Sequence, residues 1–313
     1  LFVVAIGIAG AVQFFLDPSR IENFQPFLGS GDWIGLLGTM GVIYVAFEGF
    51  EVIAQAGDET IDPRRNIPKA ILYSVLIVTL TYLLVAFGTL VGLSMSDTDP
   101  ATGQTLSQAT NGAGENVAAW IGSHGHEGDS GFQAAVSVLL KGWGGLLVTL
   151  AVIFSATSAL NATIYSATRA GYALGRDRML PKAFSNIHPV TKTPWFSLLC
   201  TAGLILGVAA MLMIKDAGAT ASIMFLMLFL LVNVCVIRVR RHMGDELQYG
   251  FLMPLFPLFP ILAILLQLGL AFGIFEESIV AWFVGVGWLV AGVGIFLFYS
   301  RSRAIQTEEE IHV

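Results

Sequence analysis

The chain has 313 residues, of which 55% are hydrophobic and only 12% are charged, and its mean hydropathy is +0.75. Soluble globular domains carry about 25% charged residues, so this composition excludes an ordinary soluble domain and indicates a membrane protein. Lys and Arg total 16 and lie in short segments between apolar runs, which argues against nucleic acid as a partner.

Eight apolar stretches are long enough, or nearly so, to cross a hydrocarbon core of about 30 Å as helices. The predicted spans are 1–16, 34–56, 66–93, 143–168, 194–214, 218–237, 251–273 and 278–299, within a transmembrane region of 1–303. The runs are continuous rather than alternating, and backbone groups in lipid must pair within their own segment. The sequence therefore predicts an all-α, polytopic membrane protein in contact with the lipid bilayer.

Charge predicts how the spans are oriented. With alternating loops, all of the 16 Lys and Arg residues except Arg20, Lys141 and Lys215 fall on one side. Because cytoplasmic loops collect Lys and Arg, we expect a multi-pass protein of the cell membrane with the tail 304–313 in the cytoplasm and the loop 94–131 outside. The chain begins inside an apolar run without the basic region of a signal peptide, so we expect it to be part of a longer chain.

The second span contains an unusual patch, "YVAFEGFEVIAQAGDET", in which Glu48 and Glu51 lie three residues apart with Gly49 between them. An acid at the centre of a bilayer costs roughly 3 kcal/mol or more, so such residues face a cavity, a partner or a bundle interior. On a continuous helix the two carboxylates would share one face and repel each other. A break at Gly49 would separate them, and a broken helix is tolerated in a membrane only where it lines a cavity or is packed in protein. The alternative is that each Glu only hydrogen-bonds a neighbouring helix.

Two further groups of polar residues are candidate sites. "SHGHEGD" at Ser123–Asp129 carries His and acidic side chains, but a glycine-rich loop does not fix the three or four converging ligands that a metal needs, and we predict no metal site. Ser155, Ser158 and Asn161 recur at i, i+3 and i+6 and so follow one stripe of a helix. Their oxygens suit a substrate or Na⁺, and they equally suit hydrogen bonds between helices.

Two segments resemble the amino acid–polyamine–organocation (APC) permeases. "FEGFEVIAQAGDETIDPRRNIPKAI" is similar to the family's segment between its sixth and seventh helices, with matches at Phe47, Gly49, Phe50, Glu51, Glu59, Pro63, Arg65, Asn66, Ile67, Pro68 and Ala70. "SATSALNATIYSATRAGYALGRDRMLPKAFSNIHPVTKTPWFSLL" resembles the eighth helix and the loop into the ninth, with matches at Arg169, Tyr172, Gly175, Arg176, Leu180, Pro181 and Pro194.

The resemblance implies a partial APC/LeuT-like fold that holds the end of helix 5 and helices 6–12, with the first repeat absent. The partner it implies is the missing N-terminal half of the same transporter. It also implies transport of amino acids by alternating access rather than enzymatic chemistry, without a cofactor and with a coupling ion, H⁺ or Na⁺, that the sequence does not assign. Alternatives are a transporter of polyamines or other organic amines, and a non-transporting membrane sensor or remnant.

The substrate residues that the resemblance implies are Phe47, Glu48, Gly49, Phe50 and Glu51. Phe47 would act as an aromatic gate, and Glu51 would bridge to another helix or respond to substrate. Glu48 departs from the apolar residue most common in the family at that position, and it would recognise a cationic amino group or point at a polar neighbour. In the family the helix that carries Ser155, Ser158 and Asn161 faces the broken first helix, so these side chains are further candidates.

Overall fold

The computed structural model describes residues 2–25, 33–55, 57, 60–109, 116–124, 130–242 and 251–301. Its α-helices are α1 Phe2–Leu16, α2 Trp33–Ile43, α3 Glu51–Gln55, α4 Pro63–Gly92, α5 Leu106–Ala109, α6 Val117–His124, α7 Ser130–Leu139, α8 Gly144–Arg176, α9 Trp195–Met211, α10 Ile214–His242, α11 Leu258–Glu277 and α12 Ile279–Ile295. Within these ranges, β-structure is limited to one isolated bridge between Thr98 and Thr105. The predicted all-α class is therefore confirmed. The predicted tail 304–313 and most of the "SHGHEGD" stretch lie outside the described residues.

Six helical segments of the described chain are long and apolar enough to cross a membrane, which confirms the polytopic membrane character. They are Trp33–Gln55, Pro63–Gly92, Gly144–Arg176, Ile214–His242, Leu258–Glu277 and Ile279–Ser300. Val4–Leu16 and Pro18–Phe24 qualify only as a pair bent by 119°, and Trp195–Met211 is apolar but shorter. The eight membrane crossings and the partial APC-type arrangement stay predictions.

Three helices begin three or more residues away from the start of the predicted spans, and one of them, α10, begins at Ile214 rather than at 218. α4 begins at Pro63 rather than at 66, because a proline in the first turn has no helical N–H bond to lose. α11 begins at Leu258 rather than at 251, because two prolines precede it and Leu255 adopts a φ of 51° that ends helical geometry. Hydropathy registers how apolar a segment is, and a few prolines among strongly apolar residues lower it too little to mark where the helix begins.

The chain divides into two compact units, Leu1–Asp32 with Leu72–Ala159 and Trp33–Ile71 with Leu160–Val313. In the first unit, two polar side chains of a 3₁₀ segment at Pro18–Phe24 close the C-terminal end of α4. Arg20 and Asn23 donate hydrogen bonds of 2.8 to 3.3 Å to the carbonyl oxygens of residues 90–93. The last four carbonyls of a helix have no partner within it, and a cation is favourable at that end. Arg20 thus has a structural role in this unit.

The segment 94–131, predicted to lie outside, contributes to a small core in the first unit. α5 and α6 fold within 94–131, and Trp120 is fully buried together with Leu93, Leu106, Val117 and Ala135. The predicted outer loop therefore contains helices and buried apolar residues in its described part, and its position outside the membrane stays a prediction. The segment is rich in Gly, Ser and Thr, and its few apolar residues are far apart in the sequence and come into contact only in the folded chain.

In the second unit, α2 packs against α11, and α10 packs against α2, α11 and α12. Glycines let α2 and α11 approach closely: a Cβ atom on Gly273 would lie 2.6 Å from the backbone nitrogen of Gly38. The buried core comprises Ala219, Ile223, Leu226, Ala271, Ile274 and Ala281. This packing places α10 and α11 beside the end of α2, where the acidic patch begins.

Candidate functional site

The helix that carries the two acids is broken where the sequence predicted. α2 ends at Ile43, a 3₁₀ turn covers Tyr44–Phe47, and Glu48 is extended, with φ −75° and ψ 163°. Gly49 follows with a φ of +118°, a conformation that side chains disfavour, and α3 begins at Glu51. The predicted break is confirmed, whereas the role of these residues in binding substrate stays a prediction.

A serine from α10 bridges the start of the break. The Ser222 hydroxyl, fully buried, donates to the carbonyl oxygen of Val42 at 3.0 Å and accepts from the N–H of Val45 at 3.0 Å. These two backbone groups sit at the junction where the α-helix tightens into the 3₁₀ turn. Because unpaired backbone groups in an apolar environment cost free energy, the hydroxyl stabilises the broken conformation.

Aromatic stacking from the same helix holds the far side of the break. The Phe50 ring stacks on Phe229 at 5.3 Å between centroids, and Phe229 stacks on Phe225 at 6.2 Å. Ser222, Phe225 and Phe229 are spaced i, i+3 and i+7, so they share one face of α10. That face therefore contacts the chain on both sides of Glu48 and Gly49.

The Glu51 carboxylate is used locally. Its Oε2 accepts a hydrogen bond of 2.6 Å from the N–H of Gly49, so it caps the backbone of the break. Two turn bonds, from Val52 N to Gly49 O and from Ile53 N to Phe50 O, complete this short segment. In the structure Glu51 therefore stabilises the break itself, and the predicted bridge to another helix is not among the described contacts.

Glu48 differs from Glu51 in its surroundings. Both carboxylate oxygens are buried and accept no hydrogen bond of normal geometry from a described residue. The Tyr44 hydroxyl is close enough to act on the carboxylate, and it also faces Gln267 of α11. Gln267 in turn accepts a 3.3 Å bond from Asn233 of α10. A line of polar side chains thus leads from the break into the packing of α10 and α11.

The remaining candidates divide between the two units. Phe47 ends the 3₁₀ turn with 37% of its surface exposed, in the second unit with Asn161. Ser155 and Ser158 belong to the first unit. All three α8 positions are helical with exposed side chains, so their assignment to a substrate, an ion or a neighbouring helix stays open.

The segment after the break is attached to α8. Gln55, at the end of α3, accepts a short hydrogen bond from the Ser166 hydroxyl. A cavity of about 530 Å³ lies next to it, lined in part by Gln55, Arg169, Tyr172 and Arg176. The second unit thus places a basic cavity at the end of α3.

Sequence reasoning missed Tyr44, Ser222, Asn233 and Gln267. Asn233 and Gln267 are polar residues inside long apolar runs, and that signal was available, because such residues in a membrane helix usually face a partner. Tyr44 and Ser222 carry no comparable signal, since Tyr and Ser are common in apolar helices. Only the packing of α10 and α11 on the break identifies them.

Comparisons with known proteins agree on one family. The family model for amino acid permeases matches residues 2–301. The chain is 26% identical over 308 residues to the branched-chain amino acid permease BcaP of Bacillus subtilis, covering 97% of this chain and 58% of the relative. It is 23% identical over 284 residues to the methylthioribose transporter of the same organism, covering 91% and 54%. It is 27% identical over 247 residues to cationic amino acid transporter 5 of Arabidopsis thaliana, covering 77% and 36%. The chain therefore spans only part of the length of these relatives.

Proposed function

We propose a transport function for this chain, which belongs to the amino acid permease family. The intact gene product would move amino acids across the cell membrane by alternating access, driven by a gradient of H⁺ or Na⁺. The observation that carries the proposal is the helix broken at Glu48 and Gly49 inside an apolar span. The relatives, which include permeases named for branched-chain and cationic amino acids, support the class of substrate.

The break would provide hydrogen-bonding groups that can bind the charged ends of an amino acid. Interrupting a helix in a membrane frees backbone N–H and C=O groups that would otherwise pair within it. N–H groups would meet the substrate carboxylate, and oxygens would meet its ammonium group. Ser222 and Glu51 hold the break open in this conformation, so the site is organised before substrate arrives.

A second candidate, a cationic substrate such as a basic amino acid or another organic amine, is favoured by Glu48. A carboxylate whose two buried oxygens accept no hydrogen bond of normal geometry from a described residue is costly unless a positive charge pairs with it. A substrate with a second amino group would provide that charge. Glu48→Gln would then weaken uptake of lysine much more than uptake of leucine.

The decisive experiment is counterflow in proteoliposomes made with the intact gene product. Vesicles loaded with unlabelled leucine, lysine or putrescine should accumulate the same labelled compound, and collapsing the H⁺ or the Na⁺ gradient identifies the coupling ion. Gly49→Leu should abolish accumulation without reducing membrane insertion, because a side chain disfavours a φ of +118°. A non-transporting sensor would bind these compounds without counterflow.

Gly287→Leu is the matched control, since Gly287 is helical in α12 and a Cβ atom there meets no atom within 4 Å. It should insert and transport like the unmodified protein. Full accumulation by the Gly49→Leu variant would exclude the break as the substrate site.

A further inference from the structure

A long apolar groove runs along α10, away from the break. One wall is a single face of this helix, with Leu228, Leu231, Val232, Cys235, Val236 and Val239 spaced i, i+3, i+4, i+7, i+8 and i+11. The segment 251–253 forms the other wall, and the groove between them has a volume of about 510 Å³. We name this feature the α10 groove. Large branched side chains line it, unlike the small residues that membrane helices use to pack closely on one another.

One end of the α10 groove is cationic. Arg240 lines it, donates a 3.0 Å hydrogen bond to the Met253 carbonyl and lies 4.4 Å above the Phe256 ring. These contacts hold the guanidinium beside the groove, and they occupy only part of its five N–H donors. Arg238 and Arg241 flank it in the last turns of α10. After Asp216 the helix carries no acid, and Asp245 and Glu246 follow only beyond the described residues.

The dimensions match one leaflet of a membrane. From Leu228 to Arg240 the helix rises about 18 Å, and half of a hydrocarbon core of about 30 Å is about 15 Å. With Leu228 near the bilayer midplane, Arg240 would lie at the depth of the headgroups. Lys and Arg at that depth attract anionic lipids by roughly 1 kcal/mol each.

We propose that the α10 groove is a binding site for one anionic phospholipid, with an acyl chain along the α10 face and the phosphate at Arg240. This inference goes beyond the transport function and does not depend on it. The occupant is a lipid rather than a helix because the groove is lined by branched apolar side chains and has a cation at one end, at headgroup depth.

The test uses the intact gene product, purified in detergent and stripped of lipid. Dioleoyl phosphatidylglycerol or dioleoyl phosphatidylcholine is added, bound lipid is counted by native mass spectrometry, and the unfolding midpoint is followed by tryptophan fluorescence. The expected result is one retained phosphatidylglycerol, bound about fivefold more tightly than phosphatidylcholine. Arg240→Gln should remove this preference, since the glutamine amide is polar but carries no charge.

Two further variants separate charge from shape. Arg301→Gln removes a cation that does not line the groove and should leave the preference unchanged. Val232→Phe fills the groove and should weaken retention of both lipids without changing the midpoint of the lipid-free protein. Equal binding of the two lipids, a preference that survives Arg240→Gln, or a protein chain found in the groove would each overturn the proposal.

Discussion

At the scale of single residues, the Ser222 hydroxyl makes two hydrogen bonds that no other described side chain supplies to the same groups. Ser222→Ala would leave the Val42 carbonyl and the Val45 N–H without this partner in a fully buried position. Losing a buried partner costs about 1–3 kcal/mol, so we expect this variant to unfold at a clearly lower temperature in detergent.

The matched control for that prediction is Thr220→Val on the same helix. The Thr220 hydroxyl donates to the Asp216 carbonyl within its own helix, and valine keeps the shape of threonine. This variant should lose much less stability, because no backbone group of the break depends on it. Equal losses for the two variants would mean that the Ser222 bridge does not stabilise the break.

The two acids of the break also show how differently one residue type is used at neighbouring positions. Glu51 pairs with the backbone N–H of Gly49, whereas the Glu48 oxygens have no such bond among the described residues. The cost of placing an acid in an apolar span is therefore offset at Glu51 by a structural bond. At Glu48 no described residue offsets this cost with a hydrogen bond of normal geometry. Glu48 is therefore the better candidate for contact with a transported substrate.

At the scale of elements, the crossing of α2 and α11 depends on contact between backbones at glycine. Gly273→Ala would place a methyl group 2.6 Å from the Gly38 nitrogen, and no change of rotamer relieves an overlap with backbone. We expect α2 and α11 to separate locally, with a loss of several kcal/mol or less stable insertion, measured as the unfolding midpoint. Gly269→Ala, one turn earlier in α11, meets no atom within 4 Å and should be nearly neutral; a loss at both positions would argue against this crossing.

The elements also show what the sequence could predict. The long apolar runs and the Glu–Gly–Phe–Glu patch are local signals, and from them the all-α class and the break at Gly49 follow correctly. The core around Trp120 and the Ser222 bridge depend on residues that lie far apart in the chain, and no local pattern encodes such pairings. The start of α11 was misplaced because prolines lie inside an apolar run.

At the scale of the whole molecule, the distribution of charge predicts orientation. Only Arg20, Lys141 and Lys215, of the 16 Lys and Arg residues, fall on the side that we expect to face outward. The membrane potential and the anionic inner leaflet both favour basic residues on the cytoplasmic side. The α10 groove is consistent with the same orientation, because its Arg240 end belongs to the basic side.

Single-cysteine labelling checks this orientation. In a background with Cys200 and Cys235 replaced by serine, Ala101→Cys lies at an exposed position of the predicted outer loop. Thr191→Cys lies in an exposed turn of the basic loop between α8 and α9, and it changes no charge. A membrane-impermeant maleimide should label the first in intact cells and the second only after the cells are permeabilised. The reverse pattern would place the Lys- and Arg-rich loops outside, whereas labelling of both positions from the same side would show that the spans between them are miscounted.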